Sequence, residues 1–274
     1  KRITLRPNIY NKLFNKAKAV RAQVYHFHDP QINRIGKRLK NISEDTKVIY
    51  DIHDPYPQGI KYRHHNRYIL KVFRIVFGTL IEYWQYSKAK HYDMLIATEE
   101  NVANMYQSAL PNKRIEIIYN YSQSFNTPKK ITRNKKFDAI YLGGISSFRG
   151  AWTILKACKI AKKRNLNLKI LLIGSIKEPG LKKKMFDFIN LHQLENYCTY
   201  IAPVPYEKIG DYYSTSACGL VPFNDNPVYH LLMPIKTFEY MEYGLPIISS
   251  NIGHTSKIIN KYDCGLNVTP EKPE

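Results

Sequence analysis

Short, nearly continuous apolar runs alternate along this chain with longer stretches of helical period, the pattern of strands buried in a parallel sheet between helices. Residues 9 to 22 read as a basic helix. "QVYHFHDP" reads as a strand whose alternating aromatic and β-branched residues give way to a loop at His28, Asp29 and Pro30. Residues 31 to 40 are helical in pattern, and "KVIYDIHDPYP" is a second strand with a polar, proline-rich exit at His53, Asp54 and Pro55. Lys61 to Lys90 has a helical period, "YDMLIATEEN" predicts the next buried strand, and "IEIIYNY" a fourth after a short helix.

Between Ser122 and Lys136 the hydrophobic period stops and Lys and Arg accumulate, which predicts a linker over 125–136 between a domain at 1–124 and another at 137–274. A fresh series then begins. "FDAIYLGGISSFRG", "LKILLIGS", "CTYIAP", "CGLVPF", "PIISS" and "GLNV" predict strands, with helices ending at Arg164, over 180–192, near 206–216 and over 235–243. Asn224 to Met233 reads as a loop. The expectation is two Rossmann-like α/β domains of parallel sheets facing across a cleft, with ligands beyond the carboxyl ends of the strands.

Composition narrows the classes of partner. Forty-four per cent hydrophobic residues in 274 exclude a disordered chain, and no apolar run reaches the ~18–20 residues that a membrane-spanning helix needs. With no secretory signal in view, the expected location is cytoplasmic, peripheral at the inner face of the membrane. A formal charge of +20 calls for an anionic partner: nucleic acid, phospholipid or a phosphorylated small molecule. From Lys61 to Arg74, basic residues including Arg63, His64, His65, Arg67 and Lys71 interleave with apolar ones, which predicts a basic amphipathic helix facing anionic lipid. Nucleic acid is not the expected partner, because stacking platforms need exposed sheet faces and these strands read as buried. Cys158, Cys198, Cys218 and Cys264 are too widely spaced for a metal hook and are expected to be reduced and buried.

Chemistry concentrates in "LLMPIKTFEYMEYGLPIIS". Pro234 stands where a helix can begin, Lys236, Thr237 and Glu239 fall in its first turns, and Gly244 and Pro246 end it. Free amides, the positive end of the dipole and a lysine suit a phosphate. A carboxylate one turn on can accept both hydroxyls of a ribose. The spacing of Lys236 and Glu239 equally fits an i, i+3 ion pair on an exposed helix.

The ordered set Pro234, Lys236, Phe238, Glu239, Tyr240, Met241, Gly244, Leu245 and Pro246 resembles the donor motif of the GT-B-fold retaining glycosyltransferases related to family 4, the glycosyl transferases group 1. The resemblance implies a metal-independent hexosyltransferase using a nucleoside diphosphate sugar, with a glycan or lipid-linked acceptor. It makes Glu239 the ribose ligand and sets Lys236 and Thr237 at the diphosphate. It identifies "YLGGISSFRG" as the glycine loop, with Gly143, Gly144 and Arg149 at the pyrophosphate, and maps the catalytic histidine beside the transferred sugar to His53.

Two departures stand out. Leu231 occupies the place of a further glutamate in many relatives, and Gly144 that of an arginine, which implies the loss of one diphosphate contact. Leu231 also keeps open a GT-B-like sugar-nucleotide epimerase or a silent partner subunit. Relatives carry additional elements at both ends, so the resemblance implies an incomplete N-terminal domain.

Overall fold

The computed structural model describes residues 7–28, 30–62, 68–122 and 135–274. Asp29, Arg63, His64, His65, Arg67 and most of the predicted linker lie outside the described residues. The chain divides into two compact units, Lys1–Asn120 and Tyr121–Glu274.

The first unit contains α1 (Pro7–Val20), β1 (Val24–His28), α2 (Asn33–Lys40), β2 (Lys47–Ile52), α3 (Tyr56–Lys61), α4 (Tyr68–Ala89), β3 (Met94–Ala97), α5 (Glu100–Ala109) and β4 (Ile115–Ile117). Its four strands are parallel and in chain order, β1-β2-β3-β4. Phe27, Tyr50, Tyr92 and Leu95 lie in its core, and the Phe27 and Tyr50 rings stack at 5.2 Å. Burial on both faces fails at the edge: β1, which has one strand neighbour among the described residues, alternates, with Tyr25 and Phe27 inward and His26 and His28 outward. The predicted helix from Lys61 corresponds to α3, which ends at Lys61, and α4, which begins at Tyr68. The Lys61 ammonium joins these two helices by donating to Glu82 at 2.6 Å.

The second unit contains β5 (Phe137–Leu142), α6 (Ala151–Lys163), β6 (Ile170–Ile173), α7 (Leu181–Leu191), β7 (Cys198–Ile201), α8 (Ile209–Ser214), β8 (Ser216–Val221), α9 (Pro227–Leu231), α10 (Ile235–Glu242), β9 (Ile247–Ser250), α11 (Gly253–Tyr262) and β10 (Gly265–Val268). Its six strands are parallel in the order β10-β9-β8-β5-β6-β7. Sequence order therefore reverses at β5: β6 and β7 build outward on one side, β8 to β10 on the other. That is the doubly wound arrangement, which opens a crevice at the reversal.

Local chemistry explains two departures from the sequence reading. The Asn224–Met233 loop contains α9, because the Asn226 side chain accepts from the Val228 N–H at 3.0 Å and Pro227 pre-sets the first helical turn. Helix α11 escapes the period because its inward face carries His254, Thr255 and Ser256 beside Ile259. All four cysteines are free; Cys158 and Cys198 are buried, while Cys218 and Cys264 are partly exposed.

Tyr240 fixes α10 to the reversal point. Its single hydroxyl proton is shared between the carbonyls of Ile140 (3.2 Å) and Leu220 (3.4 Å), and its oxygen accepts from the Leu142 N–H (3.3 Å), bridging β5 and β8. Gly219 makes room, since a Cβ there would run into the Tyr240 ring. Tyr240→Phe keeps the packing and strips those buried groups of a partner. It should lower the unfolding free energy by ~1–3 kcal/mol in urea denaturation, and an unchanged midpoint would deny the hydroxyl this role.

Candidate functional site

Gly143, immediately after β5, adopts φ +124°, a conformation that side chains rarely tolerate. The neighbouring loop is equally close: a Cβ on Gly174 would strike the Gly143 carbonyl. The chain next forms a 3-10 turn, Ser147–Arg149, held by Glu178, which accepts from the Ser147 N–H and hydroxyl, both at 2.8 Å. The indole of Trp152 donates to the same hydroxyl at 3.2 Å. The turn brings the Arg149 guanidinium back over the loop, 3.4 Å from the Gly144 carbonyl. A side chain at Gly144 would press on Arg149, its Cβ 2.8 Å from Nη1.

Lys236, in the first turn of α10, reaches the same place from the other side. A Cβ on Gly143 would lie 3.3 Å from its Nζ. The ammonium lies 3.6 Å from the Tyr141 ring centroid and 5.6 Å from that of Phe223. The residue is only 8% exposed, and Nζ has no hydrogen-bond partner among the described residues. Cation–π attraction returns part of the lost hydration, but three N–H donors remain unused. Burial, and then the positive Arg149, hold its pKa well below the usual lysine value, with Glu239 opposing. The Tyr141 hydroxyl donates to the Gly144 carbonyl at 2.8 Å, so ring and loop are fixed together.

Glu239 is also buried. The Tyr213 hydroxyl donates to its Oε2 at 2.7 Å, and Tyr206 hydrogen-bonds to it as well. Burial together with Glu239 pushes Tyr206 up to about 12. The exposed i, i+3 ion pair is thus excluded: both residues are inside, and Lys236 Nζ has no hydrogen-bond partner among the described residues.

The structure therefore brings Gly143, Gly144, Arg149 and Lys236 together, with Glu239 one turn along α10. Thr237, beside Lys236, has a fully buried side chain 3.2 Å from the Thr255 hydroxyl, a contact that ties α10 to α11. His53 belongs to the first unit, where its Nε2 lies 2.8 Å from His28 Nδ1. Sequence reasoning missed Tyr206, Tyr213 and Glu178. None carries a local signal, because each acts across a tertiary contact.

Residues 122–274 match the family model for glycosyl transferases group 1. No curated protein matches the chain in sequence. Among solved structures, the fold is similar to Anabaena HepE in complex with UDP, with a TM-score of 0.70 and 14% identity over 97% of this chain and 70% of that one. It is also similar to sucrose-phosphate synthase from Thermosynechococcus elongatus, with a TM-score of 0.72 and 16% identity over 97% of this chain and 66% of that one. A mutant of S. aureus TarM in complex with Fondaparinux, alpha-GlcNAc-glycerol and UDP gives a TM-score of 0.70 and 11% identity, covering 97% of this chain and 50% of its own. With two parallel α/β units of the GT-B type and this family match across the second, the chain belongs to the glycosyl transferases group 1 family.

Proposed function

We propose that the protein transfers a hexose-type sugar, with retained configuration, from a nucleoside diphosphate to a hydroxyl of a glycan or lipid-linked acceptor in cell-surface polysaccharide synthesis. The buried, unpartnered Lys236 ammonium at the strand-order reversal carries this reading. A desolvated cation beside Arg149 and a side-chain-free loop is suited to a dianion whose charge grows as the glycosidic bond breaks. Lys236, Arg149 and the start of α10 would stabilise the leaving diphosphate without a metal ion, and Glu239 would hold the ribose. The role of His53, orienting a sugar hydroxyl, rests on the family resemblance alone.

The depressed pKa of Lys236 gives two signs. Below the unfolded lysine value of ~10.4, the unfolded chain binds this proton more tightly than the native one. Its contribution to stability is therefore full above that value and is lost as pH falls through the native pKa. A bound diphosphate reverses the native shift, so binding takes up a proton between the free and bound pKa values, and affinity declines as pH rises through that window.

We also propose that α4 rests on an anionic membrane. Ile69 (81%), Phe73 (64%), Val76 (54%), Leu80 (62%) and Tyr83 (68%) are exposed at helical spacing, with Lys71 and Arg74 on the same helix. No helix among the described residues is long and apolar enough to cross a membrane.

Lys236→Met should raise thermal stability at neutral pH by ~1–3 kcal/mol, by removing an unsatisfied buried group, and weaken UDP binding at least ~10-fold. Unchanged affinity in calorimetry would remove Lys236 from the site. Glu239→Ala should weaken UDP ~10–100-fold, equivalent to the loss of a charged hydrogen-bond pair, and wild-type affinity would refute the ribose role. Replacing Phe73 and Leu80 together by Ser should cut flotation with anionic vesicles by ~10-fold or more, whereas equal flotation would dismiss the membrane face.

A further inference from the structure

Two tyrosine hydroxyls already serve the Glu239 carboxylate, and they differ in what holds them. Tyr213, on α8, is 1% exposed and donates to Oε2 at 2.7 Å. Its ring meets Tyr240 edge-on at 5.4 Å and lies 5.0 Å from that of Tyr243, so it belongs to the core. Tyr206 hydrogen-bonds to the same carboxylate but is 42% exposed. It opens the 3-10 turn Tyr206–Lys208, which follows β7 on the carboxyl side of the strands, where doubly wound sheets take their ligands. The Lys208 N–H closes that turn on the Pro205 carbonyl at 3.1 Å, so the backbone can keep its shape while the tyrosine side chain rotates.

A ribose offers two adjacent hydroxyls, the same donor chemistry as these two phenols. Glu239 is only 7% exposed, so a ligand has little access to its oxygens while both tyrosines stay in place. Moving Tyr213 would open the core and strand a buried hydroxyl, which is costly. Tyr206 can instead exchange its bond to Glu239 for one to water at small net cost.

We infer that Tyr206 stands in for the nucleoside: its hydroxyl covers Glu239 in the free protein and swings out so that a ribose hydroxyl donates in its place. This rests on the ribose role proposed for Glu239. The exchange spares the free protein a buried carboxylate short of donors, and it replaces one hydroxyl by another when the nucleotide enters. Tyr206 thereby competes with the ribose and not with the diphosphate, because a bare diphosphate brings no hydroxyl to Glu239.

Calorimetry on the full chain with UDP, 2′,3′-dideoxyuridine diphosphate and inorganic pyrophosphate tests the exchange. Tyr206→Phe keeps the ring and removes the competing hydroxyl. With folding confirmed by circular dichroism, it should bind UDP ~3–10-fold more tightly, the net worth of one hydrogen bond, and bind the other two ligands as the wild type does. A tyrosine that only supported the site would give the opposite sign, weaker UDP binding. If the wild type prefers UDP to the dideoxy nucleotide and Tyr206→Phe binds UDP no more tightly, the stand-in is overturned while the ribose role of Glu239 survives. Equal wild-type affinity for UDP and the dideoxy nucleotide would overturn both.

Discussion

A lysine ammonium buried against a tyrosine ring, with no acceptor for its three protons, is an expensive feature, and the architecture of the second unit converges on keeping it there. Lys236 cannot retreat to solvent, because α10 is pinned by Tyr240 to the carbonyls of β5 and β8 and by Thr237 to α11. Nor does the neighbouring loop offer it a side-chain partner. Gly143 and Gly144 present backbone alone, and the nearby charged group, Arg149, is another cation. Two positive groups around an opened backbone make a site whose free state is held away from its electrostatic optimum. A dianion restores that optimum.

The scaffold around the pair is correspondingly stiff. Glu178 and Trp152 both hold Ser147, so the 3-10 turn that carries Arg149 has little freedom. The strand reversal at β5 supplies the crevice, and the close contact of the loops at Gly143 and Gly174 fixes its floor. Tyr206 and Tyr213 do for Glu239 what the aromatic rings do for Lys236: they hold a charged group inside the unit at a defined place. The pattern is one of preorganisation, in which folding rather than binding meets the cost of desolvation.

Much of this was legible in the sequence. Buried strands such as β6 declare themselves as unbroken apolar runs, and the helix start at Pro234 placed Lys236 and Glu239 one turn apart. What stayed hidden depends on register and packing. Nothing local in "VYHFH" and "KVIYDI" shows that His28 will pair with Asp51, since only the parallel alignment of β1 with β2 brings them together. The partners of Glu239 come from a separate helix and turn, and α11 hid because its buried face is polar. The spacing of Lys236 and Glu239 admitted an exposed ion pair, and only burial decided against it.

The central claim is that Lys236 is a desolvated cation awaiting a diphosphate, and its own titration tests that most directly. Carbon-13 NMR of ε-labelled lysine, with the Lys236 signal assigned by Lys236→Arg, would follow the ammonium with and without UDP. The account predicts a pKa well below the ordinary lysine value in the free protein that rises when UDP is added. An ordinary lysine titration in the free protein, unmoved by UDP, would contradict it.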